Sequence, residues 1–207
     1  MTKKTKASPV IPPTGFDPFA VTGMDISLTN TGIVEFRKAR PDPVSKSVKP
    51  KDSLHGLERL AWIEGRVLEA FQGIGGDERL VVIEGYAYKR QGAADTGIPE
   101  AGGVVKLALW RRGIPMLIVP PANLKLFTLG SGNASKSTMM QQVLYRWGFL
   151  AADDDLADAY ALAKMGEAWL GRLDKVTEYQ RRALDGVTEF IPGSAMGFGA
   201  GSASKIG

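Results

Sequence analysis

The residues best suited to chemistry in this sequence are acids at the margins of apolar segments. Asp25 lies within the apolar run 21–26, and Glu84 directly follows the apolar run 80–83. A third acidic segment, 153–158, holds four aspartates and leads into an alanine-rich stretch. A charge inside a buried strand costs free energy unless a partner or a cation compensates it. The pattern predicts carboxylates that converge on a cation, with solvent-facing positions as the alternative for the two strand acids.

The acidic segment 153–158 has two interpretations. Asp155 and Asp158 stand three residues apart and would share one face of a helix, as would Asp154 and Asp158 at a spacing of four. Acids are also favoured at any helix N-terminus by the helix dipole, and we assign Asp153 and Asp154 to that role. Asp158 lies further into the helix, where the dipole does not explain it.

The ligand chemistry is limited by what the sequence lacks. It has no cysteine and one histidine, His55, which excludes disulfides, thiolate zinc sites and histidine-rich metal clusters. A metal would therefore be held by carboxylate oxygens, the ligands that suit Mg²⁺ or Mn²⁺. Four converging carboxylates would repel one another, and two divalent ions roughly 4 Å apart would offset this repulsion. Such a pair of ions creates a site for in-line attack by water on a phosphate.

Length and composition favour one soluble domain. The 207 residues are 44% hydrophobic, which suffices for the core of a single medium-sized domain. The formal net charge is +4 and the pI is about 9.3, a balance that favours a polyanionic partner. The apolar runs are strand-sized, so neither a membrane span nor a secretory signal is predicted. We expect a soluble protein of the cytoplasm.

The spacing of apolar residues predicts a mixed α/β sheet covered by helices. Two short apolar runs joined by the turn-prone segment 29–32 form a predicted hairpin. The predicted strands are 21–26, 32–36, 80–83 and Met116–Val119, and the predicted helices are about 54–72, 101–112, 139–147 and 155–170, the third of them beginning at a cap on Asn133 or Ser135.

The two ends of the chain differ in composition from its body. Residues 1–19 are basic and proline-rich, and residues 191–207 are rich in glycine and serine, so both are predicted to be disordered. The predicted folded domain is 20–190. Within it, the basic segment 37–53 carries six Lys or Arg residues against two Asp residues and contains several prolines.

Four segments, in the same order, resemble the RuvC-type Holliday-junction resolvases of the ribonuclease H-like superfamily, phage-type members in particular. Segment 23–32 (GMDISLTNTG) resembles the first-strand motif, and 82–84 (VIE) resembles the strand-end glutamate. Segment 121–136 resembles the lysine- and glycine-containing segment that follows in these proteins, and 155–163 (DLADAYALA) resembles their closing helix. The resemblance covers roughly residues 21–165.

The resemblance implies a fold, an activity and a set of site residues. The fold would be a ribonuclease H-like mixed five-stranded sheet flanked by helices. The activity would be a structure-selective endonuclease of DNA recombination and repair, acting on four-way junctions and other branched DNA as a homodimer in the cytoplasm (the host cytoplasm, if phage-encoded). Asp25, Glu84, Asp155 and Asp158 would hold two Mg²⁺ ions, for which Mn²⁺ could substitute, and Lys125 would lie near the scissile phosphate.

Further residues are candidates for DNA contact. Tyr86 and Tyr88 alternate with small and basic residues, including Lys89 and Arg90, a pattern that suits stacking on an unpaired base. Either tyrosine could stack, and the alternative is a tyrosine that covers apolar surface at the rim. Lys136, beyond a glycine-rich loop, could contact DNA or be an ordinary solvated lysine.

Other functions remain open at this point. One is a ribonuclease H-like nuclease that acts on RNA–DNA hybrids or flaps, and another is a DNA-binding protein without catalysis. A kinase-like or actin-like ATPase would also begin with such a hairpin, but its fold requires a second similar domain. For a homodimer, the helix 101–112 is the predicted interface, because it combines closely spaced glycines with apolar residues, namely Gly102, Gly103, Val104, Leu107 and Ala108. The alternative is that these residues pack on the sheet, and one helix could do both.

Overall fold

The fold is built around a mixed β-sheet. The computed structural model describes residues 12–72, 78–85, 97–130 and 136–191, without the side chains of 97–99 and 136–138. The strands of this part of the chain are β1 (Ala20–Asp25), β2 (Thr31–Arg37), β3 (Arg40–Val48), β4 (Arg79–Glu84), β5 (Met116–Val119) and β6 (Thr188–Phe190). The helices are α1 (Gly56–Glu69), α2 (Gly97–Arg111), α3 (Pro121–Leu129), α4 (Lys136–Trp147), α5 (Asp154–Trp169) and α6 (Glu178–Leu184).

The sheet order is β3-β2-β1-β4-β5-β6. The candidate strand acids lie at the carboxyl ends of the two central strands, β1 and β4. β1 pairs antiparallel with β2 and parallel with β4, and β4 continues parallel to β5. Asp25 and Glu84 are the last residues of β1 and β4. Because parallel strands end at the same edge of a sheet, these two acids are brought together although they are far apart in the sequence.

Helices cover both faces of the sheet, and the alternation of strand residues separates two cores. Val21 and Val82 belong to the core formed with α3, α4, α5 and α6. Met24 and Val81 belong to the core formed with α1 and α2. The central strands are therefore buried on both faces, which explains why their sequences are almost continuously apolar.

Helix α5 packs against the sheet closely enough to require glycine in the strands. A Cβ atom on Gly23 would lie 1.9 Å from the carbonyl oxygen of Ala159, and one on Gly32 would lie 2.3 Å from that of Asp155. Within α5 itself, a Cβ atom on Gly166 would lie 2.6 Å from a methyl carbon of Val21. These contacts fix the N-terminal half of α5 over the ends of β1 and β2, where its acids are needed.

The predicted α/β class, a mixed sheet flanked by helices, is confirmed, with one more strand than expected. The described residues form six strands rather than five, because β6 adds three residues beside β5. The basic segment 37–53 contains the edge strand β3, which was not predicted because its residues are mostly exposed and include Pro41 and Pro43. Prolines are compatible with an edge strand, since one side of its backbone needs no hydrogen-bond partner. No helix among the described residues is long and apolar enough to cross a membrane.

The structure differs from the predicted disordered arm 1–19 at its end nearest the domain. The ring of Phe16 packs edge-on against Trp169, with 6.3 Å between the ring centroids. Asp17 pairs with Lys38 and Arg172, and hydrogen bonds from these two side chains lower the pKa of Asp17. One aromatic and one acidic residue thus hold the proline-rich chain against the domain. Residues 1–11, and the predicted tail from 192 onward, lie outside the described residues.

A buried ion pair lies at the sheet edge opposite the candidate acids. Arg79, at the start of β4, is 1% exposed and lies 3.0 Å from Glu35 and 4.3 Å from the ring centre of Phe71. Glu35 also accepts hydrogen bonds from Thr22 and Arg37. Burial lowers the pKa of Arg79 to about 10 although Glu35 acts in the opposite direction. This network lies near the start of β1 and β4, away from the strand ends that carry Asp25 and Glu84.

Candidate metal centre

Three carboxylates from three different elements meet at the carboxyl edge of β1 and β4. Asp25, Glu84 and Asp158 each offer an oxygen atom, and these oxygens all lie within 4.8 Å of one another. All three residues are partly buried. Two come from strand ends and the third from the second turn of α5, which the glycine contacts hold against the sheet.

Asp155 completes the acidic wall of the same cavity. The cavity has a volume of about 430 Å³ and is lined by all four candidate acids and by Lys125. Asp155 is not one of the three acids whose oxygens lie within 4.8 Å of one another. Its Oδ2 atom accepts a hydrogen bond of 2.5 Å from the side-chain amide of Asn30, in the turn between β1 and β2.

The donor set fits a hard divalent cation. Oxygens of three carboxylates at this separation repel one another in a partly buried setting, where solvent screens the repulsion less than at the surface. Magnesium, manganese and calcium ions prefer such oxygen ligands and would relieve the repulsion. The arrangement, and not the acidity alone, therefore makes this edge of the sheet a candidate metal centre.

The two aspartates assigned to the helix N-terminus have that position. Asp153 is the N-cap of α5, and its Oδ1 atom accepts a hydrogen bond of 2.9 Å from the backbone N–H of Leu156. Asp154 is the first residue of the helix. Asp153 further accepts from Asn30, so the cap also connects α5 to the β1–β2 turn.

Lys125 brings a positive charge to the cavity. It lies one turn into α3, a helix that begins at two consecutive prolines and ends at Gly130, whose φ of 75° suits glycine. Asn123 anchors α3 to α6 by donating a 2.8 Å hydrogen bond to the carbonyl oxygen of Ala183. Lys125 is the only Lys or Arg among the described residues that line the cavity.

The remaining candidate contacts fall outside the part of the chain that the structure describes, wholly or in their side chains. Tyr86, Tyr88, Lys89 and Arg90 lie outside the described residues. Lys136 is the first residue of α4, but its side chain also lies outside the described part. In the sequence, the first four of these residues stand two to six positions after Glu84, and Lys136 stands three positions before Met139. Glu84 and Met139 both line the cavity.

Sequence reasoning missed the side chains that support the acids. Asn30 and Ser27 stand in a polar turn, which by composition indicates only a connection between strands. The partners of Asn30 are 123 and 125 residues further along the chain. The one signal in the sequence was the position of Asn30 directly before the Thr31-Gly32 pair of the first motif.

Comparison with known proteins identifies the family of this chain. No protein-family model matches the sequence. A crossover junction endodeoxyribonuclease RuvC from Paenarthrobacter aurescens is 31% identical over 160 residues, which cover 72% of this chain and 80% of that relative. The chain belongs to the RuvC family. RuvC from Ruegeria pomeroyi is 27% identical over 166 residues, covering 79% of this chain and 99% of that protein.

Solved structures agree with the family assignment. The structure of Thermus thermophilus RuvC in complex with a Holliday junction substrate matches this fold with a TM-score of 0.58 and 25% identity. The match covers 74% of this chain and 95% of that chain. The predicted membership of the RuvC-type resolvases is thereby confirmed, together with the fold that it implied.

Proposed function

We propose that this protein is a metal-dependent endonuclease that resolves Holliday junctions and other branched DNA by paired nicks. The observation that carries the proposal is the meeting of Asp25, Glu84 and Asp158 within 4.8 Å, on the fold of the RuvC family. Asp155 and Lys125 line the same cavity. A non-catalytic DNA-binding protein has no need for such a set of converging acids.

The proposed cofactor is a pair of Mg²⁺ ions, with Mn²⁺ as a substitute. When bound, two such ions activate a water molecule and stabilise the oxygen that leaves the phosphorus atom. Asp25, Glu84, Asp155 and Asp158 would hold them and keep their separation fixed. Lys125 would place its ammonium group near the scissile phosphate and favour the additional charge of the transition state. The products would carry a 5′-phosphate and a 3′-hydroxyl.

The proposed DNA contacts are residues that stand close in the sequence to Glu84 and Met139, which line this cavity. Lys89, Arg90 and Lys136 would bind phosphates, and Tyr86 or Tyr88 would stack on a base that is unpaired at the branch point. A branched DNA substrate would also place the protein in the cytoplasm, or in the host cytoplasm if it is phage-encoded, where recombination and repair of bacterial DNA take place.

We further propose that the active form is a homodimer built on α2. Resolution needs two opposed cuts, and each chain offers one cavity of this kind among its described residues. Leu107 and Trp110 are 46% and 62% exposed on α2, and a Cβ atom on Gly103 would meet nothing within 4 Å. Beside them, Phe190 of β6 helps to line an apolar groove. Ala108, expected from the sequence to offer interface surface, is instead 3% exposed, because it faces the interior.

The test uses a synthetic four-way junction incubated with the protein, with and without Mg²⁺. Paired nicks that require Mg²⁺ are expected, and Asp25→Asn or Glu84→Gln should abolish cleavage while junction binding remains. Ca²⁺ should support binding without cutting. Faster cleavage of an RNA–DNA hybrid or a flap than of the junction would favour another ribonuclease H-like activity. Near-normal nicking by the Asp25→Asn variant would contradict the metal assignment.

A further inference from the structure

The turn between β1 and β2 places Asn30 between two carboxylates of α5. Its Nδ2 atom donates hydrogen bonds to Asp155 Oδ2, at 2.5 Å, and to Asp153 Oδ2, at 3.1 Å. Asn30 is 9% exposed, and its Oδ1 atom is buried without a hydrogen-bond partner in the described part of the chain. The amide is therefore held in this orientation by the two acids, which can only accept hydrogen bonds when ionised.

The turn itself is locked, so Asn30 is a fixed donor. Ser27 Oγ accepts hydrogen bonds from the backbone N–H groups of Thr29, at 3.1 Å, and Asn30, at 3.0 Å. Thr31 Oγ1 accepts from the N–H of Ser27 and donates to its carbonyl oxygen. On the other side, the backbone of Asp155 rests on Gly32. Donor and acceptor thus belong to two elements that cannot shift independently.

The two acids that Asn30 joins have different tasks. Asp153 caps α5 through Oδ1, and its Oδ2 atom also lies 3.5 Å from Ser47 Oγ and 3.8 Å from Lys49 Nζ. Asp155 lines the cavity with Asp25, Glu84 and Asp158, and its Oδ2 atom is bonded to Asn30. The hydrogen bond therefore fixes which way the Asp155 carboxylate faces.

We propose that Asn30 is a positioning residue, which orients Asp155 as a ligand of the second divalent ion. This inference rests on the proposed function and adds to it a residue outside the carboxylate set. The side chain suits the task because its N–H₂ group serves two neighbouring acids without bringing a positive charge. A lysine or arginine at this position would compete with the metal, and an aspartate would repel both acids.

The first measurement is Mn²⁺ binding by titration calorimetry, without DNA. The wild-type protein should bind two ions. Asn30→Ala and Asn30→Leu should retain one site and weaken the other about 10- to 100-fold, the usual effect of removing the partner of a metal ligand. Leucine shares the γ-branched shape of asparagine but cannot donate a hydrogen bond, so wild-type affinity in Asn30→Leu would show a packing role and overturn the proposal. Asn123→Ala is the matched control, since it removes another partly buried amide hydrogen bond, away from the acids, and should retain both sites.

The second measurement separates metal affinity from the rate of cutting. In both Asn30 variants the Mg²⁺ concentration for half-maximal junction cleavage should rise about 10- to 100-fold. At saturating Mg²⁺ the cleavage rate should recover to within several-fold of the wild-type rate. A lower rate at every Mg²⁺ concentration, with an unchanged midpoint, would contradict a role through metal affinity.

A double-mutant comparison covers the case in which an Asn30 variant folds poorly. Asp155→Asn should lose the same Mn²⁺ site, and Asn30→Ala combined with Asp155→Asn should bind Mn²⁺ no worse than Asp155→Asn alone. Independent, additive losses would overturn the proposal, because residues that act through one another do not add. A wild-type protein that binds two Mn²⁺ ions but never cuts a junction would refute the proposed function and leave the role of Asn30 standing. Unaltered binding in the variants of a cutting enzyme would refute the role of Asn30 alone.

Discussion

At the scale of single residues, one ammonium group faces four carboxylates across the cavity. Lys125 lines the cavity and can attract a phosphate directly. The carboxylates repel a phosphate unless a bound cation lies between them and it. Removing a preorganised donor to a developing charge costs about 10²- to 10³-fold in rate. We expect Lys125→Met to lower the rate of junction cleavage by about this factor, with little change in junction affinity. Lys175→Met, at an exposed position outside the cavity, should cut at the wild-type rate, and equal losses in both variants would contradict the assignment.

A second residue links stability to alkaline pH. Tyr160 in α5 is 4% exposed among Phe36, Trp147 and Phe149, and burial raises its pKa to about 12. The raised pKa means that the folded state favours the neutral phenol, so this stability is complete below pH 10 and is lost as the pH rises towards 12. The contribution is on the order of 2 kcal/mol.

The Tyr160 effect is measured as the Tm between pH 9 and pH 12. Tyr160→Phe should lose less stability over this range than the wild-type protein, because phenylalanine has no proton to release. Tyr145→Phe is the matched control, since Tyr145 is 85% exposed and its substitution should leave the pH profile unchanged. Parallel profiles of Tm against pH for the wild-type protein and Tyr160→Phe would mean that the buried phenol does not cause the loss of stability between pH 9 and pH 12.

At the scale of elements, the contact between α5 and β1 leaves no room for a side chain. We expect Gly23→Ala to lower the free energy of unfolding by more than about 3 kcal/mol, since its Cβ atom would meet the backbone of α5 and not a movable side chain. Gly65→Ala is the control: it lies in α1 with nothing near its Cβ atom, and should raise stability by up to about 1 kcal/mol. Denaturant unfolding of the two variants compares them directly, and similar small changes would show that α5 can shift without cost.

Strand β3 forms the open edge of the sheet beside the metal centre. Its basic residues blunt an edge that could otherwise pair with another chain, and they also form a surface that could follow a DNA arm. The same holds for Lys49 and Lys51, which follow the strand. If these basic residues touch phosphates, changing Lys46, Lys49 and Lys51 to alanine should reduce the slope of log affinity against log salt by about 0.9 for each phosphate that is no longer neutralised. Removing three exposed cations elsewhere, Lys175, Arg181 and Arg182, should change the slope less. Equal slopes in the two variants would mean that β3 is only solvated.

The elements show what sequence could and could not supply. β1, β4 and β5 were predictable because burial on both faces makes them mostly apolar, and the acids stood out against that background. β2 was predictable because a turn-prone segment joins it to β1 as a hairpin. Edge strand β3 and the three-residue strand β6 were not, since neither has an apolar face of its own. The distance between Glu84 and Asp158 depends on how far α5 approaches the sheet, and the size of that gap is set by Gly23 and Gly32, two residues with no side chain to suggest a contact.

At the scale of the whole molecule, the proposed dimer predicts a simple change in mass. Light scattering should give about twice the chain mass of 22.2 kDa. Leu107→Glu should shift the protein towards the monomer, because it places a charge on the exposed apolar surface that Leu107 forms with Trp110 on α2. Leu57→Glu, the same change at an exposed leucine of α1, should leave the dimer intact. A strictly monomeric wild-type protein, with or without junction DNA, would leave paired cutting unexplained.

The close packing of α5 against the sheet also determines when, during synthesis of the chain, the metal centre can form. Synthesis proceeds from the N-terminus, so Asp25 and Glu84 leave the ribosome well before Asp158, which lies on α5. Until α5 has emerged and packed against the sheet, the growing chain holds only part of the proposed ligand set, and we expect it to bind divalent ions weakly. A partly made chain is therefore expected not to cut DNA before α5 is in place.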